Sequence, residues 1–69
     1  MIRVALNGEA RELEDGATVA DAVALLGVAP DSRGVAVAVD REVVRRADWA
    51  DTPLAPGAHV EILTAIQGG

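Results

Sequence analysis

Ile2-Arg3-Val4-Ala5-Leu6-Asn7-Gly8 is the stretch of sequence that decides the fold. Its first five residues alternate with a period of two, which is typical of a β-strand. Asn-Gly is the strongest short signal for a hairpin turn, because both residues tolerate the positive φ angles of that turn. Residues 9–14 are then predicted to form a shorter, more polar return strand, so the chain opens with a β-hairpin.

The segment after this hairpin predicts a helix of about nine residues. Thr18 is a favourable N-cap, and Asp21 stands three residues later, in the position of a capping box. Gly27 is placed to end the helix as its C′ residue. One apolar face repeats at helical spacing through Val19, Ala22, Val23 and Leu26.

The second half of the chain predicts three further strands. After a loop at residues 28–34, the expected strands are residues 35–39, 42–44 and 59–66. Asp40-Arg41 is expected to turn the first of them into the second. Residues 45–55 lack alternation and are expected to form turns or a short 3₁₀ segment, with Trp49 packed over one edge of the core. Pro56-Gly57 is a turn before the last strand.

This order of elements, β-β-α-β-β-β, predicts an α+β fold. A single helix covers only one face of a sheet. The first and last strands are the natural central pair, and if they run parallel, the crossover between them contains the helix. That arrangement is the ubiquitin-like β-grasp fold, a mixed sheet of four to five strands with one main helix on one face. We expect a β-grasp domain over residues 1–66 and a flexible Gly-Gly tail over residues 67–69.

The two faces of the predicted sheet differ in composition. The residues expected to face the helix are large and apolar: Val4, Leu6, Val35, Val37, Val39, Val60 and Ile62. The second face should be polar if it meets water, yet it is rich in small apolar residues: Ala5, Ala36, Ala38, Leu63 and Ala65. Either alanine is simply common in this chain, or these five residues form a flat docking surface for a partner protein.

Composition excludes several classes of protein. The chain has 69 residues, no cysteine and a net charge of −5. Nucleic-acid binding usually needs a basic patch and aromatic side chains. Trp49 is the only aromatic residue, and Arg41, Arg45 and Arg46 are most simply a solvated hairpin edge. We expect no binding to nucleic acid or membranes and a cytoplasmic location, since neither a signal peptide nor an apolar run of about 20 residues is visible.

No residue pattern in the body of the chain predicts catalysis. His59 is the only histidine, and no spacing of His, Asp and Glu resembles a metal site. The glycines at positions 8, 16, 27, 34 and 57 all fall at predicted turns and form no phosphate-binding motif. We therefore expect a protein that is not an enzyme, with no catalytic residue, no metal and no bound cofactor.

The chemistry instead points to Gly68-Gly69 at the end of the chain. Glycine contributes little to a core, but without a Cβ it lets a backbone enter a narrow channel. A terminal carboxylate at Gly69 would be ionised at neutral pH and a poor electrophile, so its activation requires ATP. Gln67, Gly68 and Gly69 would span roughly 10 Å when extended, enough to enter a partner's active site.

At this point the chain resembles the ThiS family of sulfur carrier proteins of thiamine biosynthesis over essentially its whole length. The resemblance lies in the order and spacing of short segments, which are Leu6-Asn7-Gly8-Glu9, Asp15-Gly16-Ala17-Thr18-Val19, residues 35–39, Glu42-Val43-Val44-Arg45-Arg46, Trp49-Ala50, Pro56-Gly57, Val60-Glu61-Ile62 and Gln67-Gly68-Gly69. Two turns depart from the family pattern: Asp40-Arg41 stands where Asn-Gly is common, and Gly57-Ala58 where Gly-Asp is common.

The resemblance implies a role as a recycled co-substrate. A ThiF-like adenylyltransferase would use ATP and Mg²⁺ to adenylate Gly69, and a persulfide sulfur donor would convert it to a thiocarboxylate. Thiazole synthase, ThiG, would then accept the sulfur.

Three other functions remain open from sequence. Another β-grasp sulfur carrier, such as the small subunit of molybdopterin synthase, would share the chemistry but use a different acceptor. A ubiquitin-like modifier would end in an isopeptide bond to lysine. A regulatory or RNA-associated module of the TGS type would have no use for Gly68-Gly69, and the net charge of −5 argues against RNA.

Overall fold

The structure is a computed structural model that describes residues 1–28 and 33–64. Its strands are β1 (Ile2–Leu6), β2 (Glu9–Leu13), β3 (Val35–Val39), β4 (Glu42–Val44) and β5 (His59–Thr64). The helix α1 spans Val19–Leu25, and a 3₁₀ helix spans Arg46–Asp51. Residues 29–32 of the predicted loop, and residues 65 and 66 of the predicted last strand, lie outside the described residues.

The described strands form one mixed sheet in the order β2-β1-β5-β3-β4. β1 and β5 run parallel, while the β1–β2, β3–β5 and β3–β4 pairs are antiparallel. The first and last strands are therefore the central parallel pair, and α1 lies in the crossover between them. This confirms the predicted β-grasp fold.

Both hairpin turns use residues with positive φ. Asn7 and Gly8 have φ angles of 51° and 84°, as the Asn-Gly signal predicts. The β3–β4 turn uses Asp40 and Arg41, with φ angles of 49° and 73°. The departure from Asn-Gly thus leaves the turn in place but puts a long side chain in the left-handed region, which disfavours residues with a Cβ.

The helix is held at both ends by the predicted residues. Thr18 and Asp21 form a capping box, in which the Thr18 N–H donates to the Asp21 carboxylate at 2.8 Å. At the other end Gly27, with φ of 77°, donates to the Ala24 carbonyl, and Val28 donates to the Val23 carbonyl. These two bonds form a Schellman motif. The helix proper has seven residues, because the flanking residues Thr18 and Leu26 act as its caps.

The core lies between the helix and one face of the sheet. It contains the expected strand residues Val4, Leu6, Val37, Val60 and Ile62, together with the helix residues Val19, Ala22 and Val23. Val35 and Val39 are only partly buried, though they pack against this cluster. Trp49 belongs to the core, only 4% exposed, and its indole N–H donates to the Val44 carbonyl at 2.9 Å. The 3₁₀ helix thus closes the core next to the edge strand β4.

Candidate functional site: the open face and the end of β5

The predicted site residues Gln67, Gly68 and Gly69 lie outside the described residues. What the structure gives is the strand from which they continue. β5 occupies the middle of the sheet between β1 and β3, and its last described residue is Thr64, five positions before Gly69. The described structure therefore shows where this segment starts, at the end of a central strand.

The side chain of Asn7 binds the main chain of β5. Its Oδ1 accepts a hydrogen bond from the Ile62 N–H at 2.8 Å, and its Nδ2 donates to the Ile62 carbonyl at 3.2 Å. Both polar atoms of the Asn7 amide therefore bond to Ile62, which lies 55 positions away in sequence. Sequence analysis assigned Asn7 only to the hairpin turn and missed this contact.

The sheet face turned away from the helix carries a patch of apolar residues. The strand register sets Leu63 beside Ala36, and Val43 beside Ala38. Leu63 is 66% exposed and Val43 is 77% exposed, while Ala36 is exposed and Ala38 half-buried. We call this the open face, made of Ala5, Ala36, Ala38, Val43 and Leu63.

The open face contains four of the five predicted docking residues. Ala5 is half-buried and pairs with Ala10 on one side and His59 on the other, so it lies apart from the Leu63–Val43 patch. Ala65 lies outside the described residues. Val43 was missed, although the β3–β4 hairpin would have revealed it. Once the turn is placed at Asp40-Arg41, Val43 falls opposite Ala38.

Charged side chains lie on the same side of the sheet as the open face. Arg3 and Glu12 are cross-strand partners in the β1–β2 hairpin, with 3.9 Å between Nη2 and Oε2. Glu61 is exposed and pairs with Ala38, in the middle of the sheet. Exposed ion pairs of this kind contribute little to stability, typically below about 1 kcal/mol. Arg3 and Glu12 lie next to Ala5, whereas Glu61 lies within the open face and gives it a negative charge.

The described residues form no metal site and bury no polar side chain. They contain no group of three or more His, Cys, Asp and Glu side chains that could hold a metal ion. They also contain no buried polar or charged residue. His59 is exposed, and its main-chain N–H donates to the Asp40 carboxylate at 2.9 Å. Asp40 thus ties the β3–β4 turn to the start of β5.

Among the described residues, none of the helices has the length and apolar character needed to span a membrane.

Comparison with known proteins gives a consistent result. The model of the ThiS family matches residues 4–69. The chain is 39% identical over 64 residues to a protein of Thermus thermophilus named sulfur carrier protein ThiS, covering 93% of this chain and 95% of that protein.

Solved structures give the same family. The crystal structure of thiamine biosynthesis protein ThiS from Geobacter metallireducens matches with a TM-score of 0.78 at 26% identity, covering 99% of this chain and all of that chain. A solution structure of a thiamine biosynthesis protein from the same organism matches with a TM-score of 0.77 at 26% identity, covering 99% of this chain and 88% of that one. The family match extends over nearly the whole sequence, and the structural matches cover 99% of this chain. This chain therefore belongs to the ThiS family.

Proposed function

We propose that this protein is a sulfur carrier of thiamine biosynthesis and that Gly69 carries the sulfur. The observation that carries the proposal is the family match, which includes Gln67-Gly68-Gly69 and extends over the β-grasp domain. The name of the Thermus thermophilus relative gives the same role to a protein of similar length. The protein acts as a co-substrate for other enzymes and not as a catalyst.

The chemistry begins with a carboxylate that has no good leaving group. A carboxylate oxygen of Gly69 attacks the α-phosphorus of ATP on a ThiF-like adenylyltransferase that uses Mg²⁺, and pyrophosphate leaves. The product is an acyl-adenylate, in which AMP is the leaving group. The carrier itself binds no cofactor in this step.

Sulfur then replaces oxygen at the Gly69 carbonyl. The terminal sulfur of a persulfide donor attacks the carbonyl carbon, and AMP leaves, which gives an acyl disulfide. A thiol then cleaves the S–S bond, so the donor side leaves as a mixed disulfide and Gly69 keeps a thiocarboxylate. Thiazole synthase, ThiG, accepts this sulfur: the C–S bond at Gly69 breaks, and an oxygen atom from the acceptor substrate or water restores the carboxylate.

The two residues before Gly69 allow it to reach the partner's active site. Gly68 has no Cβ, so it leaves a narrow path for the backbone into the partner's active site. Gln67 precedes it in the segment that enters. These reactions consume ATP and a persulfide, which fits the reducing cytoplasm.

We assign partner binding to the open face together with Ala65. Leu63 and Val43 are large apolar side chains left in water, next to the small residues Ala36 and Ala38. Small residues let a partner's backbone approach closely, and the two large side chains supply apolar area to bury. Leu63 is also only one residue from the end of the described β5, on the way to Gly69.

Intact mass measures the proposed reaction directly. The protein is incubated with ATP, Mg²⁺, a ThiF-like adenylyltransferase and a persulfide donor. The expected product is heavier by the difference between one sulfur and one oxygen atom. A chain lacking Gly69 should fold and remain unchanged in mass, and its conversion would refute the proposal. A covalent adduct to lysine of another protein would instead support a ubiquitin-like modifier.

A further inference from the structure

The parallel ladder between β1 and β5 is short. Its main-chain bonds include the Ala5 N–H to the Ala58 carbonyl and the Asn7 N–H to the Val60 carbonyl, each at 2.9 Å. Strand residues two apart direct their main-chain groups to the same side, so the Ile62 N–H and carbonyl also point towards β1. β1 has already turned away there, because the hairpin turn begins at Asn7.

The side-chain amide of Asn7 takes the place of the main-chain partner that β1 no longer offers to Ile62. A primary amide has the same carbonyl acceptor and N–H donor as a peptide group. Here Oδ1 accepts from the Ile62 N–H at 2.8 Å, and Nδ2 donates to the Ile62 carbonyl at 3.2 Å. Both main-chain groups of Ile62 are therefore satisfied at a point where β1 offers no backbone.

We propose that Asn7 is a positioning residue for sulfur transfer, which fixes the direction in which β5 leaves the sheet towards Gly69. The inference rests on the proposed function and adds a residue to it. Between Ile62 and Thr64, where the described part of β5 ends, its pairing is with β3, through Leu63 with Ala36 and Thr64 with Val35. Within the described residues, the Asn7 side chain bonds β5 from the β1 side two residues before Thr64.

The backbone conformation at Asn7 limits which substitutions the turn can tolerate. Its φ of 51° suits asparagine and glycine better than other residues. Glycine would keep the turn but lose both hydrogen bonds to Ile62. Ionised aspartate would keep the acceptor for the Ile62 N–H but has no donor for the carbonyl. This allows the side-chain contact to be removed without disturbing the turn.

The test compares wild type with Asn7→Gly and Asn7→Asp, with Thr18→Ala as the matched control. Thr18→Ala removes the capping box of α1 and lowers stability at a site away from β5. The first readout is amide hydrogen exchange by NMR. In Asn7→Gly the Ile62 amide should exchange about tenfold or more faster, since it loses its acceptor. The Ala5 amide, bonded to Ala58, should remain protected.

The second readout is steady-state formation of the thiocarboxylate on the ThiF-like adenylyltransferase. A less ordered end of β5 lowers the fraction of carrier ready to bind, which raises KM by roughly tenfold and leaves kcat nearly unchanged. Asn7→Asp should fall between Asn7→Gly and wild type, and Thr18→Ala should keep the wild-type KM.

An unchanged KM in Asn7→Gly, or an equal rise in Thr18→Ala, would overturn the inference while leaving the carrier function intact. Protection of the Ile62 amide in Asn7→Gly would also overturn it. Failure of wild type to form any thiocarboxylate would refute the proposed function and the inference together.

Discussion

Leu63→Arg tests whether the open face binds partners, because its effects on stability and on binding should differ in size. Leu63 is 66% exposed, so only about a third of its side chain gains from burial in the free protein. Full burial of a leucine side chain contributes about 1.5–3 kcal/mol, and a third of that is roughly 0.5–1 kcal/mol. The arginine stem covers part of the same apolar area, so the loss of folding stability should not exceed about 1 kcal/mol.

Leu63→Arg should weaken partner binding by more than it lowers folding stability. A partner on the open face buries the remaining two thirds of Leu63, and an arginine there would also place an unpaired charge in an apolar contact. We expect a loss of about 2–3 kcal/mol, or roughly 30- to 150-fold in Kd. Isothermal titration calorimetry with the ThiF-like adenylyltransferase or with ThiG measures this Kd, and urea unfolding measures the stability.

Leu25→Arg is the matched control. Leu25 is 46% exposed in the last turn of α1, on the other side of the sheet from Leu63, and it receives the same substitution and the same change in net charge. An arginine near a helix C-terminus is electrostatically favourable, so the fold should tolerate it. The reasoning is refuted if Leu63→Arg unfolds the protein, which would make Leu63 part of the core. Equal Kd values for the two variants would refute it as well.

Three further substitutions test separate parts of the structure. Arg41→Gly relieves the left-handed backbone at φ of 73° and should stabilise the protein by about 0.5–1 kcal/mol relative to Arg41→Ala, which removes the same side chain; equal urea midpoints would show that the turn is unstrained. Trp49→Phe removes the indole hydrogen bond to Val44 and leaves a gap in the core, so it should lower the free energy of unfolding by about 2 kcal/mol, measured by urea unfolding followed by circular dichroism. A loss below about 0.5 kcal/mol would argue that Trp49 merely covers the surface. Gly68→Val should abolish ATP–pyrophosphate exchange on the activating enzyme with no change in stability, and normal exchange would contradict the narrow-channel account.

Local patterns predicted the elements of this fold well. The alternation through Val4 and Leu6, the capping pair Thr18 and Asp21, and the helix stop at Gly27 each depend on neighbours within a few residues. Sequence shows such relations directly, because turn and cap geometry is fixed by the residue itself and its near neighbours. The parallel pairing of the first and last strands followed from the order of elements and the single helix.

Contacts between distant residues were harder to predict. The bond between Asn7 and Ile62 joins residues 55 positions apart, and Asn-Gly already has a sufficient explanation as a turn. Val43 was placed in a strand, and the predicted turn at Asp40-Arg41 already implied its register with β3, but the face of Val43 was not worked out from it. A shift of one residue moves every side chain to the other face, so register has to be known before a docking surface can be drawn.

The pairing of β5 has a consequence for the length of the carrier segment. Asn7 on one side and β3 on the other fix Ile62 in the sheet, and Gly69 follows seven positions later. With Gly69 as the proposed carrier residue, its reach from this fixed point has an upper bound of about 24 Å, set by residue count alone. Inserting or deleting one residue beyond Thr64 would change that bound by about 3.4 Å without altering the domain. The sheet thus provides a fixed starting point for this segment, and the depth of a partner's active site has to match the length of chain that follows.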